Sequence, residues 1–234
     1  MGLPVVILCG GKGTRLGWVS TSLPKPLLTV GNKPILWHVM KIYASWGHKR
    51  FILCLGHNGA KIRDYFKNNN RERWHITCVD TGSHALKSRR IMAVKHLIKE
   101  DNFFLAYGDD VADINFDKLL KFHLKAGRIV TISAVRILSD FGVVEIAKSG
   151  KVLRFKEKPY LDKWMNGGFM VMNRKIFDYL DRGELEDVVF KELARKEQIS
   201  AYRHRGSWKT MNTLKDNLEL NSLWNKSKAF WKKW

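Results

Sequence analysis

The stretch Ile7–Leu28, ILCGGKGTRLGWVSTSLPKPLL, sets Gly10, Gly11 and Gly13, with Lys12, Arg15 and Lys25, directly behind an apolar run. That run, Leu3–Cys9 (LPVVILC), reads as a continuous buried strand. The glycines after it allow positive φ and let backbone N–H groups come close to an anion. In open α/β sheets ligands bind beyond the carboxyl ends of the strands, which is where this turn lies. Arg15 can fork onto phosphate oxygens, and Lys25 can supply a mobile point charge. Pro24 and Pro26 are expected to hold Lys25 in an extended segment. The whole reads as a polyphosphate cradle. Two other phosphate loops are excluded by spacing: Gly11-x-Gly13 is followed by Leu16 and not a third glycine, and no G-x-x-x-x-G-K-[ST] occurs.

Outward from this stretch, strands and helices alternate. Pro34 stands where a first-turn helical proline belongs, Ile35, Leu36, Val39, Ile42 and Trp46 repeat at helical spacing, and Gly47 closes the helix. Arg50–Leu55, Trp74–Val79, Asn102–Tyr107 and Ile129–Val135 read as strands, with helices around Ala60–Phe66, Ile91–Leu97 and Phe116–Ala126. This order implies parallel strands, right-handed crossovers and helices on both faces. After Val135 the style changes. Strands Val143–Ala147 and Val152–Phe155 flank a KSGK turn, a strand Gly168–Met172 follows, and helices are expected near Lys175–Leu180 and Leu185–Lys196. The expected fold is α/β, an open, mainly parallel, Rossmann-like sheet flanked by helices, with a smaller β-rich part forming one wall of a cleft. No Pro/Gly/Ser-rich linker and no repeat interrupts residues 1–234, so they read as one domain.

Composition limits the alternatives. Apolar residues at 45% and aromatics at 12% suffice for a sizeable core. No run approaches the ~20 apolar residues of a membrane span, and Leu3–Cys9 is too short for a signal-peptide core. Cys9, Cys54 and Cys78 are few, odd in number and widely spaced, which suits reduced core residues of a cytoplasmic protein. A net charge of +20 is compatible with nucleic acid, an acidic membrane surface or small polyanionic substrates. Because the bases are spread along the chain, charge alone does not choose among these, and a solvated basic surface is the plain reading.

The segments GGKGTRL, LPKPLL and GNKPILWHVMKIY together resemble the opening of the sugar-1-phosphate nucleotidyltransferases, whose pattern is G-G-x-G-T-R-L followed by P-K-P. KPILWHVMKIYASWG, VDTG, YGDDVADI, FKEKP, NGGFMVMN and the tail LWNKSKAFWKKW are similar to the glucose-1-phosphate cytidylyltransferase branch, in that order and over nearly the whole chain. The resemblance implies the nucleotidyltransferase fold, with a nucleotide-binding half over about residues 1–135 and an acceptor-binding half with C-terminal helices over about 136–234. It implies Mg²⁺-dependent attack of a sugar 1-phosphate on the α-phosphorus of CTP, with pyrophosphate leaving. Charge neutralisation and alignment of two polyanions are then the main tasks.

By that resemblance the loop Gly10, Gly11, Gly13, Thr14 holds the triphosphate, Arg15 meets the departing pyrophosphate, and Lys25 stabilises charge developing at the α-phosphorus. Asp109 in YGDD becomes a Mg²⁺ ligand. Glu157 and Lys158 in FKEKP are assigned to the acceptor's hydroxyls and phosphate, with Gly142, Asn166 and Gly167 lining its pocket. Gly11, Thr81, Gly82 and Arg90 are candidates for the base, Arg90 against the alternative of a solvated residue in a basic run.

Three departures stand out. Where the family pattern is W-x-x-M-D-T, this chain has WKTMNT, so Asn212 takes the place of the second metal carboxylate without its charge; Asp216, one helical turn on, is a candidate substitute. Relatives of this branch carry a longer segment between Phe66 and Val79 and a Gly-rich stretch in place of SHALKSRR, which leaves UTP or dTTP open beside CTP. The surplus of positive charge exceeds what a sugar nucleotide needs and is expected to draw in anionic substrates. Asp110, where the branch has glycine, and Asp113 are weaker candidates for the metal than Asp109, Asp113 against the alternative of a cap for the Phe116 helix. CTP and a sugar 1-phosphate, glucose 1-phosphate first with another phosphorylated acceptor as the alternative, are the expected partners, with no nucleic acid and no membrane span, and a homo-oligomer is left open. Two alternatives remain in view: a nucleic-acid-binding module using nine tryptophans and the tail KSKAFWKKW as a stacking platform, and an inactive regulatory homologue suggested by Asn212.

Overall fold

The computed structural model describes residues 2–11, 13 and 23–234. In chain order, β1 (Val5–Leu8) is followed by a small hairpin, β2 (Thr29–Val30) and β3 (Lys33–Pro34), then α1 (Ile35–Ala44), β4 (Arg50–Leu55), α2 (Gly59–Asn69), β5 (His75–Asp80) and α3 (Lys87–Ala93). Next come β6 (Asn102–Tyr107), β7 (Asp110–Ala112), α4 (Phe116–Ala126), β8 (Val130–Leu138), β9 (Val143–Ile146), β10 (Val152–Lys156) and β11 (Tyr160–Asn173). The chain finishes with α5 (Lys191–Arg195), β12 (Ile199–Arg203), β13 (Trp208–Thr210) and α6 (Leu214–Asn225).

Seven strands form the main sheet in the order β12-β8-β11-β6-β1-β4-β5. β1 pairs in parallel with both β4 and β6, so the chain leaves β1 toward one edge and returns on its other side. The crevice beyond β1 and β6 is therefore the point where strand order reverses, the usual ligand position in such sheets. β11 runs antiparallel to both neighbours, β6 and β8. The alternation of side chains along each strand feeds two cores. Val5, Ile7, Phe104 and Ala106 pack on one face with α1, α2 and α4, while Val6, Phe103 and Leu105 pack on the other with α3 and the segment around Ile176–Leu193. Both faces being covered explains why these strands read as unbroken apolar runs.

Several boundaries differ from those expected. The helix after Trp74–Val79 begins earlier, at Lys87, and ends in a separate 3-10 turn, Lys95–Leu97. The strand expected at Gly168–Met172 starts eight residues sooner, at Tyr160, because its first half pairs with β8 beyond the reach of β6. The helix expected over Leu185–Lys196 opens as a π-helical turn, Leu185–Phe190. Lys25 is not extended: Lys25–Leu27 form one 3-10 turn, in which Pro26 needs no N–H because the first turn leaves such donors unpaired. Phe116 begins α4 under the Asn115 side chain, which accepts from Lys118 N at 2.8 Å; Asp113 caps nothing there and instead accepts from Ser207 N at 2.8 Å.

The tail folds inward. Trp231 is fully buried against α1, and its indole Nε1 donates to His38 Nδ1 at 3.3 Å, leaving His38 Nε2 to donate to Val30 O at 2.9 Å. The Trp224 indole lies over Gly31, where a Cβ would come within 2.2 Å of its Nε1. Trp37, Trp74 and Trp234 complete the cluster. The tail's rings are committed to this packing, Trp231 wholly and Trp224 and Trp234 in part. Cys9, Cys54 and Cys78 are free thiols, and burial pushes Cys54 up to about 12, so it remains an inert thiol. Among the described residues no helix is long and apolar enough to cross a membrane.

Two buried imidazoles make the fold acid-sensitive. His38 and His123 are each pushed down by burial to about 4, from an ordinary 6.5. Both stay neutral in the folded chain and protonate first in the unfolded one, so the stability they contribute is complete above pH 6.5 and is lost as pH falls toward 4. Each gap corresponds to about 3 kcal/mol at most. The urea midpoint should fall between neutral pH and about pH 4.5, and His123→Gln should flatten that fall. An unchanged pH slope in the variant would contradict this assignment.

Candidate active site

Beyond β1 and β6 the surface opens into two joined cavities of about 340 and 770 Å³, which share Leu8, Gly11, Lys87, Asp109 and Asn212. The smaller is lined by the glycine turn, with Gly13 in the left-handed region at φ +64°, and by Lys25, Pro26 and Gly108. Here Lys25 ion-pairs with Asp109 and donates to Asn212 Oδ1 at 2.9 Å. The Lys25 side chain is 13% exposed, so its charge is largely withdrawn from water and needs these partners. Asp109 is fixed by the end of β6, and Asn212 by the β7–β13 pairing, extended by a bond from Met211 N to Asp109 O at 3.0 Å.

The next residue behaves oppositely. Asp110 starts β7, where successive side chains point to opposite sides, and its carboxyl is buried against Thr210. Burial, followed by the charge of Asp109, raises its pKa well above the usual carboxylate range. A Cβ on Gly168 would sit 2.0 Å from Asp110 Oδ2, so the second glycine of NGG is required by this contact as well as by its φ of +78°. Register shifts between Asn166 and Met170 mark a bulge in β11, which turns Asn166 toward the larger cavity while Asn166 Oδ1 accepts from Gly168 N at 3.0 Å. Gly167 lies under this bend. It does not line the cavity, and its carbonyl accepts from Trp208 Nε1 at 2.7 Å.

Arg90 lines the larger cavity but is neither solvated nor free to face a base. It is 5% exposed, and Nη1 donates to Leu55 O (3.0 Å) and Thr81 Oγ1 (2.7 Å) while Nη2 donates to Gly10 O (3.1 Å) and Ser83 O (3.4 Å). The guanidinium thus ties the ends of β1, β4 and β5 together. It also dictates Gly10, where a Cβ would lie 2.1 Å from Nη1. Gly10 is bare for this packing reason, whereas Gly11 has open space around it. Thr81 belongs to the same network, donating to Leu55 O at 2.6 Å, and neither it nor the exposed Gly82 lines the cavity.

Other expected residues stand apart. Gly142, Glu157 and Lys158 are exposed on and beside the β9–β10 arm, near one another but outside the cavity lining. Thr14 and Arg15, with Lys12, fall outside the described residues. Asp216 does not replace Asn212: its Oδ2 accepts from Thr213 N at 2.8 Å and Asn212 N at 3.0 Å as the capping box of α6. Conversely, Lys87, Tyr107, Trp208 and an acidic group, Glu184, Glu186 and Asp187, line the larger cavity without having been singled out. The acidic residues flank the start of the π turn, and a mixed run such as GELEDV gives no sign of facing a ligand.

Among the described residues no group of three or more His, Cys, Asp or Glu could hold a metal. Asp109 and Asn212 nonetheless offer two hard oxygens converging on one point, which the Lys25 ammonium now marks as favourable for positive charge. That donor set fits an ion that takes one or two protein oxygens and completes its shell with water and phosphate, as Mg²⁺ does.

Fold and cleft together define the class: a mainly parallel α/β protein with a two-chambered cleft at the carboxyl ends of its strands. The chain belongs to the nucleotidyl transferase family, whose profile matches residues 4–227. It is 39% identical to the Bacillus subtilis (strain 168) protein named "Probable glucose-1-phosphate cytidylyltransferase", over 99% of this chain and 100% of that one. It is 38% identical to the glucose-1-phosphate cytidylyltransferase of Salmonella typhimurium (strain LT2), with the same coverage. Among solved structures, HddC from Yersinia pseudotuberculosis complexed with GMP-PN shares the fold, with a TM-score of 0.75, 22% identity, and coverage of 95% of this chain and 100% of that one.

Arg90→Ala strands several buried acceptors and should lower stability by about 2–4 kcal/mol in urea unfolding, with Arg90→Lys restoring little because it lacks the fork. Unchanged stability combined with a raised KM for the nucleotide would instead make Arg90 a base reader.

Proposed function

We propose that this protein transfers CMP from CTP to glucose 1-phosphate, releasing pyrophosphate and giving a CDP-sugar. The observation that carries the reading is the convergence of Lys25, Asp109 and Asn212 between the glycine turn and the larger cavity. The family membership and the two relatives named for this activity support it.

In this reading the triphosphate lies in the smaller cavity against the Gly11 and Gly13 backbone, and the nucleoside extends past Leu86 and the Arg90 strut. A phosphate oxygen of the sugar phosphate attacks the α-phosphorus. One P–O bond forms as the bond to the β-phosphate oxygen breaks, and the electron pair leaves on pyrophosphate. Lys25, freed from Asp109, stabilises charge on the α-phosphoryl oxygens. Arg15 keeps its assignment to the departing pyrophosphate. Asp109 and Asn212 would hold Mg²⁺, which when bound supplies charge neutralisation between the phosphates. Asn212 contributes an oxygen without charge, so this hold is weaker than that of two carboxylates. Asn166 borders the acceptor, and the roles of Glu157 and Lys158 require the β9–β10 arm to fold over the larger cavity.

Pyrophosphate release, measured with Mg²⁺, each NTP and a panel of sugar 1-phosphates, tests the reading. Turnover should be fastest with CTP and glucose 1-phosphate; preference for UTP or dTTP, or for another acceptor, would correct the substrate, and no turnover with any pair would overturn the reading. Lys25→Ala and Asp109→Ala should each lower the rate by about a hundredfold or more with the fold retained. Near-normal turnover in either removes that residue from the chemistry. Asn212→Asp should lower the Mg²⁺ concentration for half-maximal rate severalfold, and an unshifted titration would take Asn212 out of the metal site.

A further inference from the structure

We infer that Glu186 reads a hydroxyl of the acceptor sugar, an inference that rests on the proposed transfer to a sugar 1-phosphate. Glu186 Oε1 is clamped by two donors, the Tyr107 hydroxyl at 2.5 Å and Lys87 Nζ at 2.6 Å. Its Oε2 has no hydrogen-bond partner among the described residues, and the side chain keeps 33% exposure where it lines the larger cavity. One carboxylate oxygen is therefore locked and the other is presented. An ionised carboxylate accepts hydrogen bonds and repels phosphate, so it selects hydroxyl or amine donors and turns the phosphate end toward Lys25.

The clamp is itself built to last. Tyr107 is largely buried, and burial, with the Glu186 charge beside it, pushes its phenol well up, so it remains a donor. Lys87 also lies over the Tyr107 ring, 5.2 Å from its centroid, which ties the two clamping donors to each other. Glu186 projects from the π-helical turn Leu185–Phe190, a deformation that recurs where a helix serves a site.

Two ligands offer hydroxyls here, the sugar and the ribose. Position favours the sugar. Tyr107 packs against Gly168, where a Cβ would be 3.0 Å from its Cδ2, beside Asn166 and Asp110 on the second-half wall. The Gly10, Leu86 and Arg90 end is left for the nucleoside. Glu157, the carboxylate first assigned to the sugar, is exposed outside this lining.

Glu186→Gln is the test, read with CTP and glucose 1-phosphate or its monodeoxy analogues. The variant should raise the acceptor's KM by about tenfold to a hundredfold, leaving the KM for CTP within about twofold and kcat little changed. One deoxy acceptor should be penalised by the wild type and not penalised further by the variant. Tyr107→Phe, which loosens Oε1 and keeps the charge, should produce a smaller change in the same direction. A KM shift confined to CTP, or equal deoxy penalties in both enzymes, would overturn the assignment. If the wild type releases no pyrophosphate, the transfer reading falls by itself; calorimetric titration of glucose 1-phosphate into both proteins then decides Glu186, and equal affinities would overturn it.

Discussion

The Lys25 ammonium is withdrawn from water between the Asp109 carboxylate and the Asn212 amide oxygen, and a buried charge of this kind persists only while its partners stay in place. Meeting that demand links three parts of the chain: the turn after the glycine loop, the end of β6 and the segment after β13. The turn is in turn anchored from the C-terminus, since Asn217 Nδ2 donates to Thr29 O at 2.9 Å and Asn221 Oδ1 accepts from Gly31 N at 2.9 Å. The aromatic tail packed on α1 therefore does more than close the core. Through Trp224 over Gly31 it also packs on the hairpin that follows the Lys25 turn.

Around this point both chambers of the cleft carry charges of both signs. The small chamber has Lys25 paired with Asp109 beside the glycine turn, and the large chamber sets Glu184, Glu186 and Asp187 beside Lys87 and Arg90. The +20 charge of the chain raises the local concentration of anions.

The glycines illustrate how one residue type serves different constraints. Gly10 makes room for a guanidinium, Gly168 for a buried carboxyl, Gly31 for an indole, and Gly13 adopts a left-handed turn. Arg90 shows the reverse. A side chain whose charge invites a ligand is consumed by four bonds that hold three strand ends in register.

Local sequence determined the elements whose cause is local. Apolar runs covered on both faces made β1, β4 and β6 legible, helical spacing marked α1 and α4, and the glycine turn behind β1 located the cleft. The short strands β7 and β13 were illegible because each exists by pairing with the other across about a hundred residues. Tertiary structure also decided which charges face the ligand. Whether a carboxylate such as Asp109, Asp110, Glu186 or Asp216 becomes a cation partner, a buried acid, a presented acceptor or a helix cap depends on what the fold sets against it. Long-range packing supplies that partner, and no spacing along the chain records it.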